Sequence, residues 1–358
     1  MFLWRYRAAK DRVGEWVFSR AQSSRFCSVL YYAYFSPAFH WELFATTRAI
    51  GKYRERLESG ERCAVLRRNA HRLEKGLLMR PRREVFALDF IEETVEQFAR
   101  RAEGSYSEEE AAELAWARAV LAEYFEIVGE ESVVVRAAKR VFEHACMNFR
   151  EEPPADPKVT RIPYLRELEG EPPVEYDALY QLALRRRSTR WFHAKPVPRE
   201  AVEKAVAVAT QAPSACNRQP YEFRIFDEPE MVAEVAGLAP GARGFSHNIP
   251  AVAVMVGHLD NYFSEGDRHL IYIDSSLAAM GFMYALESLG LSSCPLNWPD
   301  SERLERKMAA KLGLERYQRV IMLIAFGYPD ETGLVAHSQK KSPAELCRYN
   351  ELKGGPKS

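Results

Sequence analysis

RRRSTRWF, running from Arg185 to Phe192, decides how the second half of this chain is read. Four arginines surround a serine and a threonine, and two aromatics close the run. Planar guanidinium forks match phosphate oxygens, and a hydroxyl adds a short donor. The run also ends a predicted helix, DALYQLALRRR, where basic residues complement the helix dipole. Alone, the stretch leaves both readings open. A second stretch, QAPSACNRQPYEF from Gln211 to Phe223, follows the apolar helix REAVEKAVAVAT and leads into a strand. Its two prolines bracket Ser214, Asn217 and Gln219, more polar equipment than ordinary turn chemistry requires.

Downstream, YEFRIF (221–226), AVAVMVGHL (251–259) and RVIMLIAFG (319–327) read as strands. The second and third are nearly continuous apolar runs, the pattern of strands buried on both faces. Residues 268–290 read as a long apolar helix with Gly290 as its C-cap. Upstream, residues 60–149 read as helices with Glu-rich starts. Between the halves, residues 151–175 hold six prolines and many charges, the strongest linker signal in the chain. The expected organisation is an all-helical N-terminal domain over residues 1–165, followed by an α+β domain over residues 175–358.

The totals exclude several classes. The 358 residues carry 50 basic and 50 acidic side chains, which argues against a dedicated nucleic-acid binder. The six cysteines (Cys27, Cys63, Cys146, Cys216, Cys294, Cys347) are scattered without CxxC spacing. That pattern suits reduced thiols in a cytoplasmic protein better than a disulfide framework or a zinc site. Neither a secretory leader nor an apolar stretch of spanning length is found. The first 56 residues hold ten basic and four acidic residues and many aromatics. Such a segment suits either a face packed on the rest of the chain or a peripheral membrane contact; packing is the expected reading, because no sustained basic face is present. His247, His258 and His269 do not share ligand spacing on one element, so no metal is expected. Neither GxGxxG after a strand nor GxxxxGK[ST] occurs, and no nucleophile elbow surrounds Ser188 or Ser214.

The two stretches together resemble the opening of the nitroreductase family of FMN-dependent oxidoreductases: a basic residue, Ser, any, basic, any, Phe, then a Pro-Ser…Asn…Gln-Pro turn. YIDSSLAAMGFMYALESLGLSSCPLNW resembles the family's central helix with its Leu-Gly turn. IAFGYPD resembles its last strand, and HSQKKSP its basic C-terminal segment. The resemblance spans roughly residues 177–347. It implies a mixed β-sheet wrapped by helices, and a homodimer with the flavin at the subunit interface. Arg186, Ser188 and Arg190 would hold the FMN phosphate with Arg187 in the same turn, and Lys341, beside Lys340, would reach it from the C-terminal segment. Pro213, Ser214 and Ala215 would lie along the isoalloxazine edge, and Asn217 would hydrogen-bond the flavin. Cys294, Pro295, Leu296 and Asn297 fall where the family's backbone covers the ring.

Hydride would pass from NADH or NADPH through flavin N5 to a small-molecule acceptor: a nitroaromatic, a quinone, an enone or a biosynthetic intermediate. No side-chain acid or base is required, so no catalytic residue is named. Many members carry Glu-Gly where this chain has Asn297 and Trp298, which leaves open whether Trp298 caps the pocket or stacks on a substrate. Asn261–Arg268 is read as either a substrate-side lid or a plain strand-to-helix connection. The segment HRLEKGL (His71–Leu77) resembles that of longer family members with a helical extension, and i, i+3 and i+4 pairing explains its charges. Two other classes remain: a flavin-binding scaffold with little turnover, and a nucleic-acid or membrane-surface binder using the arginine run or the N-terminus.

Overall fold

The computed structural model describes residues 16–350, apart from 60, 62–63, 105, 150–160, 166–169 and 171. Most of the expected linker lies outside the described residues. In the N-terminal half the helices are α1 Arg25–Tyr34, α2 His40–Ser59, α3 Ala64–Leu77, α4 Ile91–Ala102, α5 Glu108–Val128 and α6 Val133–Asn148. Their starts follow local chemistry. The Cys27 N–H donates to the Ser24 hydroxyl at 3.1 Å, and Ser107 and Glu110 form a reciprocal capping box. Gly129, with φ of 71°, ends α5 in a conformation that favours glycine.

The helices α3 to α6 form a core of their own, with Leu66, Leu73, Ile91, Phe98, Leu121 and Phe142 at its centre. HRLEKGL is explained there by packing. Leu73 and Leu77 are buried, Glu74 accepts from Trp116 Nε1 at 2.9 Å, and His71 lies 3.1 Å from Glu74. The ring of Phe86 occupies the place of a Cβ on Gly76, with its nearest atom at 2.1 Å, so no larger residue fits.

The two aromatic helices before this core behave differently. The second, α2, buries Trp41, Ala45, Thr46, Ala49 and Tyr53, as expected of a packed face. Ala45 and Ala49 join the core of the C-terminal half rather than that of α3–α6. In contrast, α1 buries no residue and exposes Phe26, Val29, Leu30 and Tyr34. The expected packing holds for α2 and not for α1. Among the described residues, no helix is long and apolar enough to cross a membrane.

The C-terminal half follows as α7 Tyr176–Arg185, α8 Arg199–Ala209, β1 Tyr221–Phe226, α9 Pro229–Ala236, β2 Ala251–His258, α10 Leu270–Ser288, β3 Ser292–Asn297, α11 Glu302–Leu312, β4 Gln318–Gly327 and α12 Pro343–Leu346. The strands pair antiparallel in the order β1-β2-β4-β3. A parallel bridge between Ser188 and Ser293 makes the pairing mixed. The sheet separates two cores. Ala251, Ala253 and Met255 face one, with α8 and α10; Val252, Val254 and Val256 face the other, with α9 and α11. This double burial accounts for the unbroken apolar runs of β2 and β4. On the first face α8 and α10 approach closely: a Cβ on Gly281 would lie 3.4 Å from the Ala209 Cα.

Strand β3, SSCPLN, is not among the three strands read from the sequence. Its two serines and Pro295 break any apolar run. Proline is tolerated because β3 is an edge strand, where a missing N–H breaks no ladder.

Candidate functional site at two corners of the sheet

The arginine run lies along β3 at one corner. Arg185, the last residue of α7, pairs through Nε with Glu287 of α10 at 3.0 Å, so its charge is used inside the fold. Thr189 N–H then donates to the Ser293 carbonyl at 3.1 Å. The Asn248 side chain fixes the end of the turn, accepting from Phe192 N–H at 2.9 Å and donating to the Arg190 carbonyl at 3.0 Å. Phe192 itself is buried in the core beneath.

Ser188, Arg186 and Arg190 gather around the buried thiol of Cys294. Burial pushes that thiol's pKa up, and the Arg190 charge, the Ser188 hydroxyl and the Arg186 charge oppose the rise. Arg187 donates to the His337 carbonyl at 3.3 Å, drawing the HSQKKSP segment to the same corner. Lys340 and Lys341 sit exposed in that segment. Among the described residues, Arg186, Arg187 and Arg190 pair with no carboxylate, and the buried Ser293 hydroxyl has no hydrogen-bond partner. Three unpaired guanidiniums in five residues make a cradle whose charge suits a phosphate.

Along β3 the side chains alternate. Cys294 and Leu296 are buried, while Pro295 and Asn297 are exposed. Leu296 therefore offers only its backbone to anything outside the sheet. Trp298 is buried, and its Nε1 donates to Glu305 at 2.9 Å. It neither caps an open pocket nor presents a face for stacking.

The second group, Pro213, Ser214, Ala215 and Asn217, forms the turn before β1 at another corner. The Ser214 hydroxyl accepts from Gln219 N–H at 3.0 Å. Cys216, Asn217 and Gln219 hold left-handed φ values of 53°, 51° and 48°. Each such non-glycine residue costs about 1 kcal/mol or more, so the surroundings must impose the shape. Asp274 supplies much of that constraint. It is 3% exposed in the first turns of α10, and it accepts from Ala215 N–H at 3.0 Å and from the Tyr262 hydroxyl at 3.3 Å. Burial raises its carboxyl above the ordinary value, and these hydrogen bonds pull the other way.

The sequence marks Asp274 only as a cap or packing residue. The missed signal is an acid set among apolar and small residues early in α10, which needs buried donors to justify it. Helix α3 packs against this same turn. The Asn261–Arg268 connection is likewise clasped by the N-terminal helices. Tyr262 is buried, and Phe263 lies 6.1 Å from Tyr53 and 5.2 Å from the Arg68 guanidinium.

The two groups do not meet within one chain. Tyr221, where the turn enters the sheet, aligns through Gly257 with Arg319 on β4; Ser293 aligns with Phe326. Seven positions of β4 separate these registers, about 23 Å at ~3.3 Å per residue. From Asp274 to the end of α10 at Ser288 the helix rises about 21 Å, an independent measure of the same gap. Each corner therefore presents half of the residues that the family pattern unites.

Comparison with known proteins places these corners in context. A model of the Nitroreductase family matches residues 183–240 and 232–328. A Thermus thermophilus protein named NADH dehydrogenase is 30% identical over 188 residues, covering 43% of this chain and 88% of its own length. A putative NADH dehydrogenase/NAD(P)H nitroreductase of Archaeoglobus fulgidus is 28% identical over 166 residues, covering 46% and 92%. An iodotyrosine deiodinase of Thermotoga neapolitana is 25% identical over 176 residues, covering 43% and 89%.

Proposed function

We propose that this chain, which belongs to the nitroreductase family of oxidoreductases, is an FMN-dependent NAD(P)H oxidoreductase whose flavin sites are each assembled from two copies. One observation carries the reading. Arg186, Arg187 and Arg190 converge beside Ser188 with no carboxylate to neutralise them among the described residues, while Arg185 in the same run is neutralised. A phosphate monoester supplies the missing charge. The orphaned Ser293 hydroxyl behind Ser188 supports the fit.

In this reading Arg186, Ser188 and Arg190 hold the FMN phosphate, with Arg187 placing the C-terminal segment so that Lys341 adds a fourth contact. Pro213, Ser214, Ala215 and Asn217 of the other copy lie along the ring, fixed in advance by Asp274. Pro295, Leu296 and Asn297 offer the β3 backbone as a cover. Bound FMN would carry hydride from NADH or NADPH, through N5, to an organic acceptor such as a nitroaromatic, quinone, enone or biosynthetic intermediate. The chain's own part is to anchor the phosphate, orient the ring and exclude water. None of these roles asks a side chain to act as acid or base.

The homodimer is supported by apolar surface that one copy leaves open. Ile273 and Leu277 on α10 are 54% and 46% exposed, and Tyr176, Leu179, Tyr180 and Leu184 on α7 are exposed as well. Exposed apolar side chains of this kind suit burial against a second copy. We take residues 175–358 as the flavin domain and residues 1–165 as the helical extension, with α2 clasping the two. Among the described cysteines, Cys27, Cys216, Cys294 and Cys347 are free, in keeping with a cytoplasmic setting.

The visible spectrum of the purified full chain tests this. An FMN band that bleaches anaerobically with NADH or NADPH is expected. A band that persists would replace the reductase with a flavin-binding scaffold. Absence of any flavin after FMN addition would remove the phosphate assignment.

A further inference from the structure

Helix α1 is folded with its apolar side outward. Phe26, Val29, Leu30 and Tyr34 recur at helical spacing and are all exposed, Phe26 by 71% and Tyr34 by 79%. The opposite side is held against the rest of the N-terminal segment. The Ser28 hydroxyl donates to the Ala21 carbonyl at 2.6 Å, and the rings of Tyr31 and Tyr32 meet those of Phe18 and Phe39 at 5.5 and 4.6 Å. The more polar side chains face inward and the apolar stripe faces out, the reverse of a helix packed on a core. His40 Nε2 lies 2.7 Å from the Tyr32 carbonyl, which ties α1 to the start of α2, where Leu43 and Phe44 are exposed as well.

The charges on this part of the chain have one sign. From Trp16 to Trp41 the sequence holds Arg20 and Arg25 and no aspartate or glutamate. Both arginines are exposed, and neither pairs with a carboxylate among the described residues; the Arg20 guanidinium lies 5.5 Å from the Trp16 ring. Arg316, also exposed, stands 5.4 Å from the ring of Trp41 in α2. Glu42 of α2 and Glu302 of α11 are already engaged, Glu42 beside Arg268 and His269 at 3.7 and 3.5 Å and Glu302 with Arg306 at 2.6 Å. Exposed aromatic and aliphatic side chains flanked by arginine are the composition of a helix lying in the headgroup region of an anionic bilayer. A second copy docked isologously through the same face would meet an equally basic surface.

We propose that α1, with the exposed start of α2, docks the protein on an anionic lipid surface: Phe26, Val29, Leu30 and Tyr34 enter the boundary between headgroups and acyl chains while Arg20 and Arg25 meet the lipid phosphates. The ten residues of α1 rise about 15 Å, half of the ~30 Å hydrocarbon core, so the helix lies on the membrane and does not span it. Because α2 also buries Ala45 and Ala49 in the core of the C-terminal half, the docking surface is built onto the sheet domain. This gives the extension a role in placing the protein, whether or not the arginine cradle beside β3 holds FMN.

The test is flotation of the full chain with phosphatidylcholine vesicles, with and without about one-third phosphatidylserine. Binding to the anionic vesicles is expected, weakened by high salt, with little binding to phosphatidylcholine alone. Phe26→Asp combined with Leu30→Asp should lower the partition coefficient about tenfold, and Arg20→Gln combined with Arg25→Gln about fivefold for each charge removed. All four side chains are exposed, so oligomeric state and flavin content should match those of the parent. Any of four results would overturn the proposal: no binding to the anionic vesicles, equal binding with and without phosphatidylserine, undiminished binding of the Phe26→Asp, Leu30→Asp variant, or a smaller assembly in that variant, which would give the face to a second copy.

Discussion

The turn at Arg185–Phe192 and the turn at Pro213–Gln219 are both polar loops that follow a helix, yet the fold treats them in opposite ways. In the first, backbone atoms are tied to Ser293 and Asn248 while three charges stay unpaired. In the second, polar atoms are spent internally, on Ser214, Ala215 and Asp274, and three residues sit in strained backbone. The first is a rigid frame with free chemistry, suited to gripping an anion. The second is a preformed wall. A site assembled from one of each needs no loop to reorganise on binding, which limits the entropy cost of association.

The contrast can be broken most severely at Asp274. Asp274→Ala leaves Ala215 N–H and the Tyr262 hydroxyl without their buried acceptor, so unfolding stability should fall by about 2–3 kcal/mol in denaturant titration. A loss below about 0.5 kcal/mol would mean that the second turn holds its shape without it. Arg190→Ala acts on the other corner. It should weaken FMN binding by about 10- to 100-fold, the effect of one charge-assisted hydrogen bond, and leave apoprotein stability almost unchanged because the side chain is exposed. Full flavin retention would contradict the cradle.

Asn217→Gly sharpens the comparison from the strained side. Glycine accepts the left-handed backbone, so stability should stay within about 0.5 kcal/mol, while loss of the amide should weaken FMN binding about fivefold. The smallest expected effect concerns pH. The pKa of Glu222 is lowered to about 2 from an ordinary 4.5, so its contribution is present above 4.5 and is lost as pH falls toward 2. The carboxyl of Asp274 is raised from 3.8, so its contribution is full below 3.8 and is lost as pH rises through the raised value. Glu222→Gln should therefore flatten the acid limb of a stability profile between pH 4.5 and 2, whereas Asp274→Asn should leave that loss in place.

Much of this was legible in the sequence where a local pattern carried it. The runs 251–259 and 319–327 read as buried strands because both faces of β2 and β4 meet a core. Gly290 marked the end of α10, and it lies just past Ser288 with φ of 77°. The two polar stretches were legible as a pair because their order and residue types form a pattern. What was not legible depends on distance. That the arginine run and the proline turn stand at opposite corners follows from the strand order and the length of α10, neither of which the motifs encode. Nothing local separates Arg185 from Arg186, yet Glu287, about a hundred residues on, neutralises only the first. Strand β3 escaped because Pro295 and two serines hide an edge strand.

Assembly of each flavin site from one corner of each of two copies is put to the test by flavin occupancy in mixed dimers. Arg190→Ala damages the cradle, and Ala215→Leu adds bulk along the ring edge while keeping the backbone N–H that Asp274 holds. Each variant alone should purify with little FMN. Co-expressed in equal amounts with different tags, they should form heterodimers with one intact site in two, restoring about a quarter of the wild-type occupancy in the whole mixture and half in the heterodimer fraction, as random pairing of two-fold dimers requires. A heterodimer fraction no richer in flavin than its parents would contradict the claim and place each site within a single chain.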